Sequence, residues 1–356
     1  MVLVNRMDDQ GCAHTIESWF EANQRALPWR TDPRDLYRSL VSELMLQQTQ
    51  VSRVLEKFGP FMDRFPTVFE LARAPEADVL GAWSGLGYYR RARLLHACAK
   101  AIVEEHGGEV PGEVSELLRL PGIGRYTAGA IASIVFGERA AIVDGNVARV
   151  LLRLHNNDGD PGAASTQKWV WERAQALVDA SGDPALCNEG LMELGALVCT
   201  PKSPGCDGCP VKGMCAAFEY GTTGSVPVPK ARVKQTELFV AAMLARDEEG
   251  RVWVEQRGEV GLWARMWGPR CVEREDRGWS DAEAMEALGI SDGDRGGLVE
   301  TFTHTTTHRI VRFAVYRGEG VYPGGSGRWV TLEEVRSMGL ASAHERVLAM
   351  GDTLFS

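Results

Sequence analysis

Four of the eight cysteines in this sequence of 356 residues lie within one short segment, CTPKSPGCDGCPVKGMC. They are Cys199, Cys206, Cys209 and Cys215, with the spacing C-x6-C-x2-C-x5-C. Thiolates this close along a chain are typical of one metal centre, either a tetrahedral zinc ion or an iron–sulfur cluster. The spacing alone favours neither metal. The segment therefore predicts one cysteine-bound centre rather than four unrelated buried cysteines.

A second candidate feature is the segment PGIG, followed about twenty residues later by Asp144 in AIVDGNVARV. Gly122 and Gly124 allow a tight corner between two helices. The backbone N–H groups at the start of the second helix are suited to bind phosphate. This pattern predicts a helix-hairpin-helix that grips the DNA backbone without reading its sequence. Asp144 can cap the helix that follows it, serve as a catalytic carboxylate, or do both.

The third feature is a carboxylate beside several glutamines in VSELMLQQTQV, residues 41–51. Apolar residues recur at helical spacing between Val41 and Val51, so we predict that one helix, residues 37–65, runs through the glutamines. Glu43 is then either one charge on a solvated helix face or a functional acid. The helical periodicity does not distinguish these two interpretations.

The surrounding sequence predicts the elements that position these residues. Residues 10–220 read as successive helices with short connections. Residues 222–236 combine Gly, Pro, Ser and basic residues without periodicity, which is typical of a linker. The runs LFVAAML and HRIVRFAVYRG then favour strands beside two short helical segments. We therefore predict a multi-domain chain: an all-α domain at 1–220, a linker at 221–236 and a smaller α+β domain at 237–356.

The bulk composition is that of an ordinary globular protein, with 44% hydrophobic and 24% charged residues. The net charge of −9 argues mildly against a nucleic-acid binder. Basic runs such as Arg90, Arg91 and Arg93 can still form a local positive patch. No apolar run is long enough to predict a membrane span, and no signal peptide is recognisable. We therefore predict a cytoplasmic protein with no membrane partner.

Several motifs together closely resemble the MutY-type adenine DNA glycosylases of the endonuclease III superfamily, which remove adenine mispaired with 8-oxoguanine. The motifs are LPWR at residues 27–30, SELMLQQTQV, GLGYYRRAR and NEGLMELGALVC, and the resemblance covers nearly all of residues 15–220. It implies that Glu43 protonates adenine at N7 and that Asp144 stabilises the positively charged sugar. It also implies that Asn146 helps to place the attacking water.

The resemblance further implies the type of reaction. Bifunctional members of the superfamily carry a hairpin lysine that attacks the sugar and then cleaves the strand by Schiff-base chemistry. This chain has Tyr126 at that position, and a phenol cannot form an imine. The chain is therefore expected to remove a base and stop, with Tyr126 packing and hydrogen bonding beside the two carboxylates. Burial should raise the pKa of Glu43 towards neutrality, as a general acid requires.

Other positions are implied to contact the substrate or the DNA. Arg30 and Glu189 correspond to residues that line the adenine pocket, with Glu189 reading the flipped base, and Leu46 belongs to the same substrate-binding set. Gln48 and Tyr88 correspond to side chains that wedge into the base stack beside the orphaned guanine. Extruding a base from the duplex costs a few kcal/mol, so protein side chains must hold open the gap that the base leaves in the stack.

In the family, the C-terminal domain is Nudix-like and checks for 8-oxoguanine, and residues 237–350 fit its size and pattern. The acidic box of Nudix hydrolases is not recognisable, so we predict no nucleotide hydrolysis. The family reads the oxidised base with a Phe-Ser-His trio on a β-hairpin. Aligned by its flanks, this chain has Thr306, Thr307 and His308 there, without the aromatic ring. A shifted alignment would instead begin the trio at Phe302.

The resemblance implies a [4Fe–4S] cluster at the four cysteines, a monomeric protein, and a partner that is double-stranded DNA with an A·8-oxoG or A·G mispair. Two alternative functions remain. A thymine glycosylase acting on T·G mismatches also carries tyrosine at the hairpin position, but Glu43 and the C-terminal domain argue against it. A non-catalytic binder of DNA lesions is opposed by the presence of both Glu43 and Asp144.

Overall fold

The computed structural model shows two compact units. The residues that it describes are 8–228, 234–290, 295–319 and 327–354. The first unit consists of Met1–Arg73 and Leu94–Ala231, and the second of Ala74–Arg93 and Arg232–Ser356. Among the described residues, no helix is both long enough and apolar enough to cross a lipid bilayer.

Helices form the regular structure that precedes the first strand. In chain order, the helices before the first strand are α1 (Asp9–Asn23), α2 (Leu36–Leu46), α3 (Val51–Arg64), α4 (Val68–Arg73), α5 (Glu76–Ala82), α6 (Arg90–His106), α7 (Val114–Leu117), α8 (Arg125–Ile134), α9 (Gly145–Leu154), α10 (Ala164–Ala180), α11 (Pro184–Leu197) and α12 (Ala216–Glu219). Aspartates 8, 35, 144 and 183 cap α1, α2, α9 and α11 by accepting hydrogen bonds from first-turn N–H groups.

The core of the first unit is built around α11, which packs against α1, α8, α9 and α10. Two glycines allow these close approaches. A Cβ atom at Gly190 would lie 2.6 Å from Cγ2 of Ile16 on α1. A Cβ atom at Gly195 would lie 2.7 Å from Cβ of Asn146 on α9. The backbones of α9 and α11 therefore meet directly beside Asn146, one of the residues predicted to be functional.

The prediction of one helix across residues 37–65 is wrong, because the structure divides it at the glutamines. α2 ends at Leu46 and α3 begins at Val51. Between them Gln48 adopts a left-handed backbone with φ of 55° and exposes its side chain. A residue in this conformation cannot continue a right-handed helix. The apolar periodicity continues across the turn, which is why the sequence pattern concealed it.

The second unit contains a mixed sheet, which has seven strands within the described residues. Its strands are β1 (Thr236–Arg246), β2 (Val252–Gln256), β3 (Trp267–Gly268), β4 (Arg270–Arg274), β5 (Arg295–Thr305), β6 (Arg309–Glu319) and β7 (Arg328–Val330). The order is β3-β2-β1-β6-β5, with β4 also paired to β1 and β7 to β2. β1 and β6 are parallel and the other pairs are antiparallel.

Among the residues that the structure describes, three helices cover this sheet: α13 (Asp281–Leu288), α14 (Leu332–Ser337) and α15 (Ser342–Leu354). Alternate residues of β1 face opposite sides, so that Val240 packs in a core with α14 and α15 while Ala241 packs in a second core with α13. Burial on both faces explains the continuous apolar run of this strand. The predicted architecture, an all-α part followed by a smaller α+β part, is confirmed.

Residues 74–93 belong to the second unit, although they precede most of the first unit in sequence. The Tyr89 hydroxyl donates to the carbonyl oxygen of Leu340 at 2.6 Å. Arg93 Nη1 donates to the carbonyl oxygen of Ala264 at 3.1 Å. No local sequence pattern indicates these contacts, because their partners lie far along the chain.

The predicted linker, residues 221–236, is described only in part, since residues 229–233 fall outside the described residues. Val226 within it is 4% exposed and packs in the core of the first unit. Its carbonyl oxygen accepts a hydrogen bond from Arg153 Nε at 2.8 Å. The beginning of the predicted linker is therefore a packed part of the helical unit.

We predict that Gly190→Ala destabilises the protein by about 1–3 kcal/mol, because a methyl group there overlaps α1. The Ile16 carbonyl oxygen would lie only 3.2 Å from the added Cβ, so backbone as well as side chain must move. Gly59→Ala is the matched control, since no atom lies within 4 Å of its Cβ position in α3. The control should preserve or raise stability by about 0.5–1 kcal/mol. Thermal unfolding followed by circular dichroism measures both variants, and equal melting temperatures would contradict the packing argument.

Candidate active site

A cavity of about 220 Å³ lies in the first unit among α2, α8, α9, α11 and the loop before α2. Seven residues predicted from the sequence line it: Arg30, Glu43, Leu46, Tyr126, Asp144, Asn146 and Glu189. Drug-sized ligands occupy pockets of roughly 300–1,000 Å³. A cavity below that range is suited to a single flat ring system, such as one nucleobase.

Glu43 is the buried acid of this cavity. It is 8% exposed, and its Oε2 atom has no hydrogen-bond partner among the described residues. Burial raises the pKa of Glu43 to about 7, an effect that hydrogen bonding to Tyr126 opposes. A carboxyl group with this pKa can hold a proton near neutral pH and transfer it to a bound base. The expected upward shift of the Glu43 pKa is therefore present in the structure.

Tyr126 is the second residue of α8, and its side chain lies between Glu43 and α11. Its hydroxyl donates to Sδ of Met192 at 3.4 Å. Burial raises the pKa of Tyr126 well above its ordinary value, and the nearby carboxylates of Glu43 and Asp144 raise it further. Tyr126 is therefore a neutral phenol, which can donate a hydrogen bond but offers no amine nucleophile.

Asp144 caps α9 and also lines the cavity. Its Oδ1 atom accepts hydrogen bonds from the backbone N–H groups of Asn146 and Val147, at 2.9 and 2.7 Å. Its Oδ2 atom accepts a hydrogen bond from Asn146 Nδ2 at 2.9 Å. Burial raises the pKa of Asp144, whereas these hydrogen bonds lower it. The positive end of the α9 dipole also favours the ionised form. The three hydrogen bonds hold the carboxylate in one orientation.

Arg149 fixes the side chain of Asn146. Its Nη2 atom donates to Asn146 Oδ1 at 2.7 Å and to the carbonyl oxygen of Gly195 at 2.8 Å. Its Nε atom donates to the carbonyl oxygen of Cys199 at 2.7 Å. A guanidinium can only donate, so the amide oxygen of Asn146 must face Arg149 and its amide nitrogen must face Asp144.

A row of five alternating charges forms another wall of the cavity, and we call it the charge row. Its order is Arg34, Glu189, Arg30, Glu193 and Arg25. Arg34 Nη2 lies 2.5 Å from one oxygen of Glu189, and Arg30 Nε lies 2.8 Å from the other. Arg30 also lies 3.2 Å from Glu193, which pairs with Arg25 Nε at 2.7 Å. Burial alone would raise the pKa of Glu193, but hydrogen bonds from Arg25 and Arg30 hold it at about 2.

Arg30 and Glu189 of the charge row were predicted from the sequence, whereas Arg25, Arg34 and Glu193 were not. One signal was present in the sequence. Glu189 and Glu193 are four residues apart and therefore share one face of α11. Carboxylates are almost never fully buried without cationic partners, so a carboxylate pair in an apolar helix indicates nearby arginines. The sequence could not indicate which arginines these are.

The predicted helix-hairpin-helix is formed by α7 and α8. Gly122 in its corner has φ of 78°, and a Cβ atom there would lie 2.6 Å from Cβ of Leu94. Gly124 is the N-cap of α8 and has no side chain to satisfy the first N–H groups of the helix. These N–H groups remain suited to bind an anion such as a phosphate.

The four clustered cysteines line one pocket together with Arg153, Lys212 and Phe218. All four are free and partly exposed, and Arg153 Nη1 lies 3.4 Å from Sγ of Cys199. Among the described residues, no three His, Cys, Asp or Glu side chains are arranged to hold a single metal ion. The donor set, four thiols around one pocket, has the composition that an iron–sulfur cluster requires.

The other residues predicted to contact DNA lie outside the cavity. Gln48 is exposed in the turn between α2 and α3, and Tyr88 in the second unit is 45% exposed with φ of 47°. Thr306, Thr307 and His308 form the turn between β5 and β6. The hydroxyl groups of Tyr88 and Thr307 are hydrogen bonded to each other. The two wedge residues thus lie in different units, while Tyr88 contacts the predicted reader turn.

The shifted alignment of the reader trio does not fit the hairpin. Phe302 lies within β5, directly opposite Phe313 of β6. Their rings are stacked with centroids 4.7 Å apart. Phe302 is therefore a sheet residue, and the turn itself carries Thr306, Thr307 and His308.

Two carboxylates of α13, the segment compared with the Nudix hydrolase box, have structural partners. Asp281 accepts a hydrogen bond from the Tyr316 hydroxyl at 2.9 Å. Glu283 completes the capping box with Ser280 and pairs with Arg274 at 3.0 Å. Asp281 and Glu283 thus both take part in contacts within the second unit, and the absence of nucleotide hydrolysis stays a prediction.

Comparison with known proteins agrees with this geometry. Residues 41–176 match the family model described as "HhH-GPD superfamily base excision DNA repair protein", and residues 241–350 match a NUDIX domain. A solved thermostable thymine-DNA glycosylase is 29% identical, with a TM-score of 0.52 over 60% of this chain and 97% of that one. The helical unit thus has a known glycosylase fold.

Curated relatives extend the match along the chain. The human adenine DNA glycosylase is 44% identical over 256 residues, which cover 70% of this chain and 44% of the human protein. The chain spans less than half the length of its human, rat, mouse and Arabidopsis relatives. The adenine DNA glycosylase of Buchnera aphidicola from Schizaphis graminum is 30% identical over 344 residues, which cover 94% of this chain and 96% of that protein. The chain therefore belongs to the adenine DNA glycosylase family.

Proposed function

We propose that the protein is a monofunctional DNA glycosylase of base excision repair. It hydrolyses the N-glycosidic bond of adenine that is mispaired with 8-oxoguanine or guanine in double-stranded DNA. The observation that carries this proposal is the buried Glu43 carboxyl. It faces a nucleobase-sized cavity with an unpartnered oxygen and a pKa of about 7. Asp144 lines the same cavity, held by three hydrogen bonds.

The two carboxyl groups take different roles in this mechanism. Adenine is a poor leaving group as an anion, so protonated Glu43 donates its proton to N7 while the C–N bond breaks. The sugar then carries positive charge, which ionised Asp144 stabilises electrostatically. General acid catalysis contributes about 10²–10⁴-fold. The different environments of the two groups support this division, as in other enzymes that pair a neutral and an ionised carboxyl.

Asn146 and Tyr126 complete the reaction site. Asn146 is fixed by Arg149 and Asp144 and helps to place the water that attacks the sugar. Tyr126 donates a hydrogen bond next to the two carboxyl groups, and it cannot attack the sugar as an amine would. The enzyme therefore leaves an abasic site in an intact strand.

The base is held by Arg30, Leu46 and Glu189, all of which line the cavity. Outside the cavity, the uncapped start of α8 beyond Gly122 and Gly124 holds a DNA phosphate. Exposed Gln48 inserts into the base stack beside the orphaned guanine, as wedge side chains do in other DNA complexes. Exposed Tyr88 of the second unit is also proposed as a wedge residue. The Thr306-Thr307-His308 turn contacts the base opposite adenine.

The four cysteines hold a [4Fe–4S] cluster in this proposal. Cys199, Cys206, Cys209 and Cys215 share one pocket and would supply the four thiolate ligands of the cluster. The cluster supplies a fixed scaffold for this loop rather than a reacting group. Arg149 and Arg153 of α9 bind carbonyl oxygens of the same loop, at Cys199 and Thr200.

We predict that adenine is released from an A·8-oxoG duplex, more slowly from an A·G duplex, and that thymine is not released from a T·G duplex. Single-turnover assays with these three duplexes measure the rates directly. The product strand should break only after alkali treatment, since no lysine is present at the hairpin position. Release of thymine faster than adenine would show that the thymine glycosylase alternative is correct.

We predict a bell-shaped pH dependence of the single-turnover rate. Glu43 must be protonated to act, and its pKa is about 7, so the rate should fall as the pH rises through about 7. Asp144 must be ionised, so the rate should also fall at low pH, beginning above the ordinary aspartate pKa because burial raises the pKa of Asp144.

Glu43→Gln is the matched variant for this profile, since an amide has the same shape but cannot donate this proton. It should be inactive across the pH range while still binding the A·8-oxoG duplex. A Glu43→Gln enzyme that retained the wild-type rate and pH profile would disprove the role of Glu43 as the acid.

We predict that the purified protein contains about four iron atoms per chain and absorbs visible light as an iron–sulfur protein. Cys206→Ala should remove both signals, because it deletes one of the four thiol ligands. Cys271→Ala is the control, since Cys271 lies on β4 of the second unit and should leave the iron content unchanged. A colourless protein that carries zinc would contradict the cluster assignment.

A further inference from the structure

The Glu189 carboxylate is held at both of its oxygen atoms. Arg30 Nε lies 2.8 Å from Oε1 and Arg34 Nη2 lies 2.5 Å from Oε2. The side chain of Glu189 is only 5% exposed. A guanidinium group can only donate hydrogen bonds, so both oxygen atoms of Glu189 act as acceptors towards the two arginines. Its remaining lone pairs are available to a hydrogen-bond donor inside the cavity.

Arg34 and Arg30 do not hold Glu189 in the same way. Arg30 is shared, because its Nη2 atom also lies 3.2 Å from Glu193. Arg34 donates to the other oxygen atom of Glu189, Oε2. With only Arg30 present, the Glu189 carboxylate could rotate about its remaining contact. Arg34 supplies the second fixed point that sets the direction of the carboxylate plane.

The backbone of Arg34 is itself fixed by the start of α2. Arg34 directly precedes Asp35, the N-cap of α2, whose Oδ1 atom accepts from the N–H of Arg38 at 2.7 Å. The N–H of Asp35 donates to Oγ1 of Thr31 at 2.8 Å. The same helix carries Glu43. The Arg34 contact therefore ties the orientation of Glu189 to the element that positions the acid.

We propose that Arg34 is a positioning residue, which holds the Glu189 carboxylate so that the cavity requires a hydrogen-bond donor on the six-membered ring of the base. This inference rests on the proposed function, because the donor in question is the 6-amino group of adenine. A base with a carbonyl oxygen at that position would place two acceptors against each other. A base with hydrogen there would leave the carboxylate without its partner. Sites of this kind discriminate strongly against analogues that lack the bonded group.

The test compares two duplexes opposite 8-oxoguanine, one with adenine and one with purine, which lacks only the 6-amino group. Arg34→Gln should slow single-turnover release of adenine by about ten- to a hundredfold and should slow release of purine much less. Arg34→Lys should restore part of the preference, since it keeps the charge but loses the fork geometry. Lys168→Gln, at an exposed position on α10, is the control and should change neither rate.

Two further measurements separate positioning from general damage. Binding to duplexes with noncleavable 2′-fluoro analogues of the same two nucleosides should show the same loss of preference without any chemistry. In a double-mutant cycle, Arg34→Gln combined with Glu189→Gln should lose little more preference than Glu189→Gln alone, because both variants remove one interaction.

Several results would overturn the inference. Equal slowing of adenine and purine by Arg34→Gln would indicate a purely structural role, and unchanged rates for both would indicate no role. Full additivity of the two variants would show that Arg34 does not act through Glu189. Failure of the wild-type enzyme to release adenine is a different outcome, since it would reject the proposed function itself.

Discussion

The candidate site depends on the burial of one carboxyl group that has no partner for one of its oxygens. An unpaired charge in such a place is so unfavourable that the group keeps a proton instead. Glu43 meets this condition because its neighbours on α2, Val41, Leu44 and Met45, are anchored in the core. Their burial holds the helix in place although the local environment of Glu43 is unfavourable. A polar partner for Oε2 would stabilise the fold but would also oppose transfer of the proton.

The same cavity contains other carboxylates, which the fold surrounds with hydrogen-bond donors and positively charged groups. Asp144 lies at the start of α9, where two backbone N–H groups bind it. Glu189 and Glu193 lie between three arginines of the charge row. Gly195 lets α11 approach the start of α9 closely, so both environments share one cavity. Environment, rather than residue type, therefore assigns the acid and the anions.

The parts of this arrangement that follow local rules were predictable from the sequence. Helix caps, the apolar run of β1, the hairpin glycines and the clustered cysteines each carry a short-range signal. The break at Gln48 was not predictable, because apolar residues keep helical spacing on both sides of it. Arg34 and Glu193 were also missed, since each finds its ion-pair partner only after α11 and the loop before α2 have packed together. The helix break and these ion pairs depend on tertiary contacts, which a short segment of sequence does not reveal.

The turn formed by Thr306, Thr307 and His308 differs in sequence from the family's Phe-Ser-His trio. Alignment by the flanking residues predicts that Thr306 corresponds to the aromatic residue of the family trio. Its N–H and its hydroxyl both bind the backbone of Arg309, with the N–H donating to the carbonyl oxygen at 2.9 Å and Oγ1 accepting from the N–H at 3.1 Å. The hydroxyl of Thr306 thus closes the turn and faces inward. Thr307 and His308 are the two exposed members of the trio, and Thr307 is fixed by the Tyr88 hydroxyl. The turn therefore exposes two polar side chains, and the aromatic ring hydrogen bonded to it is that of Tyr88, which is 45% exposed.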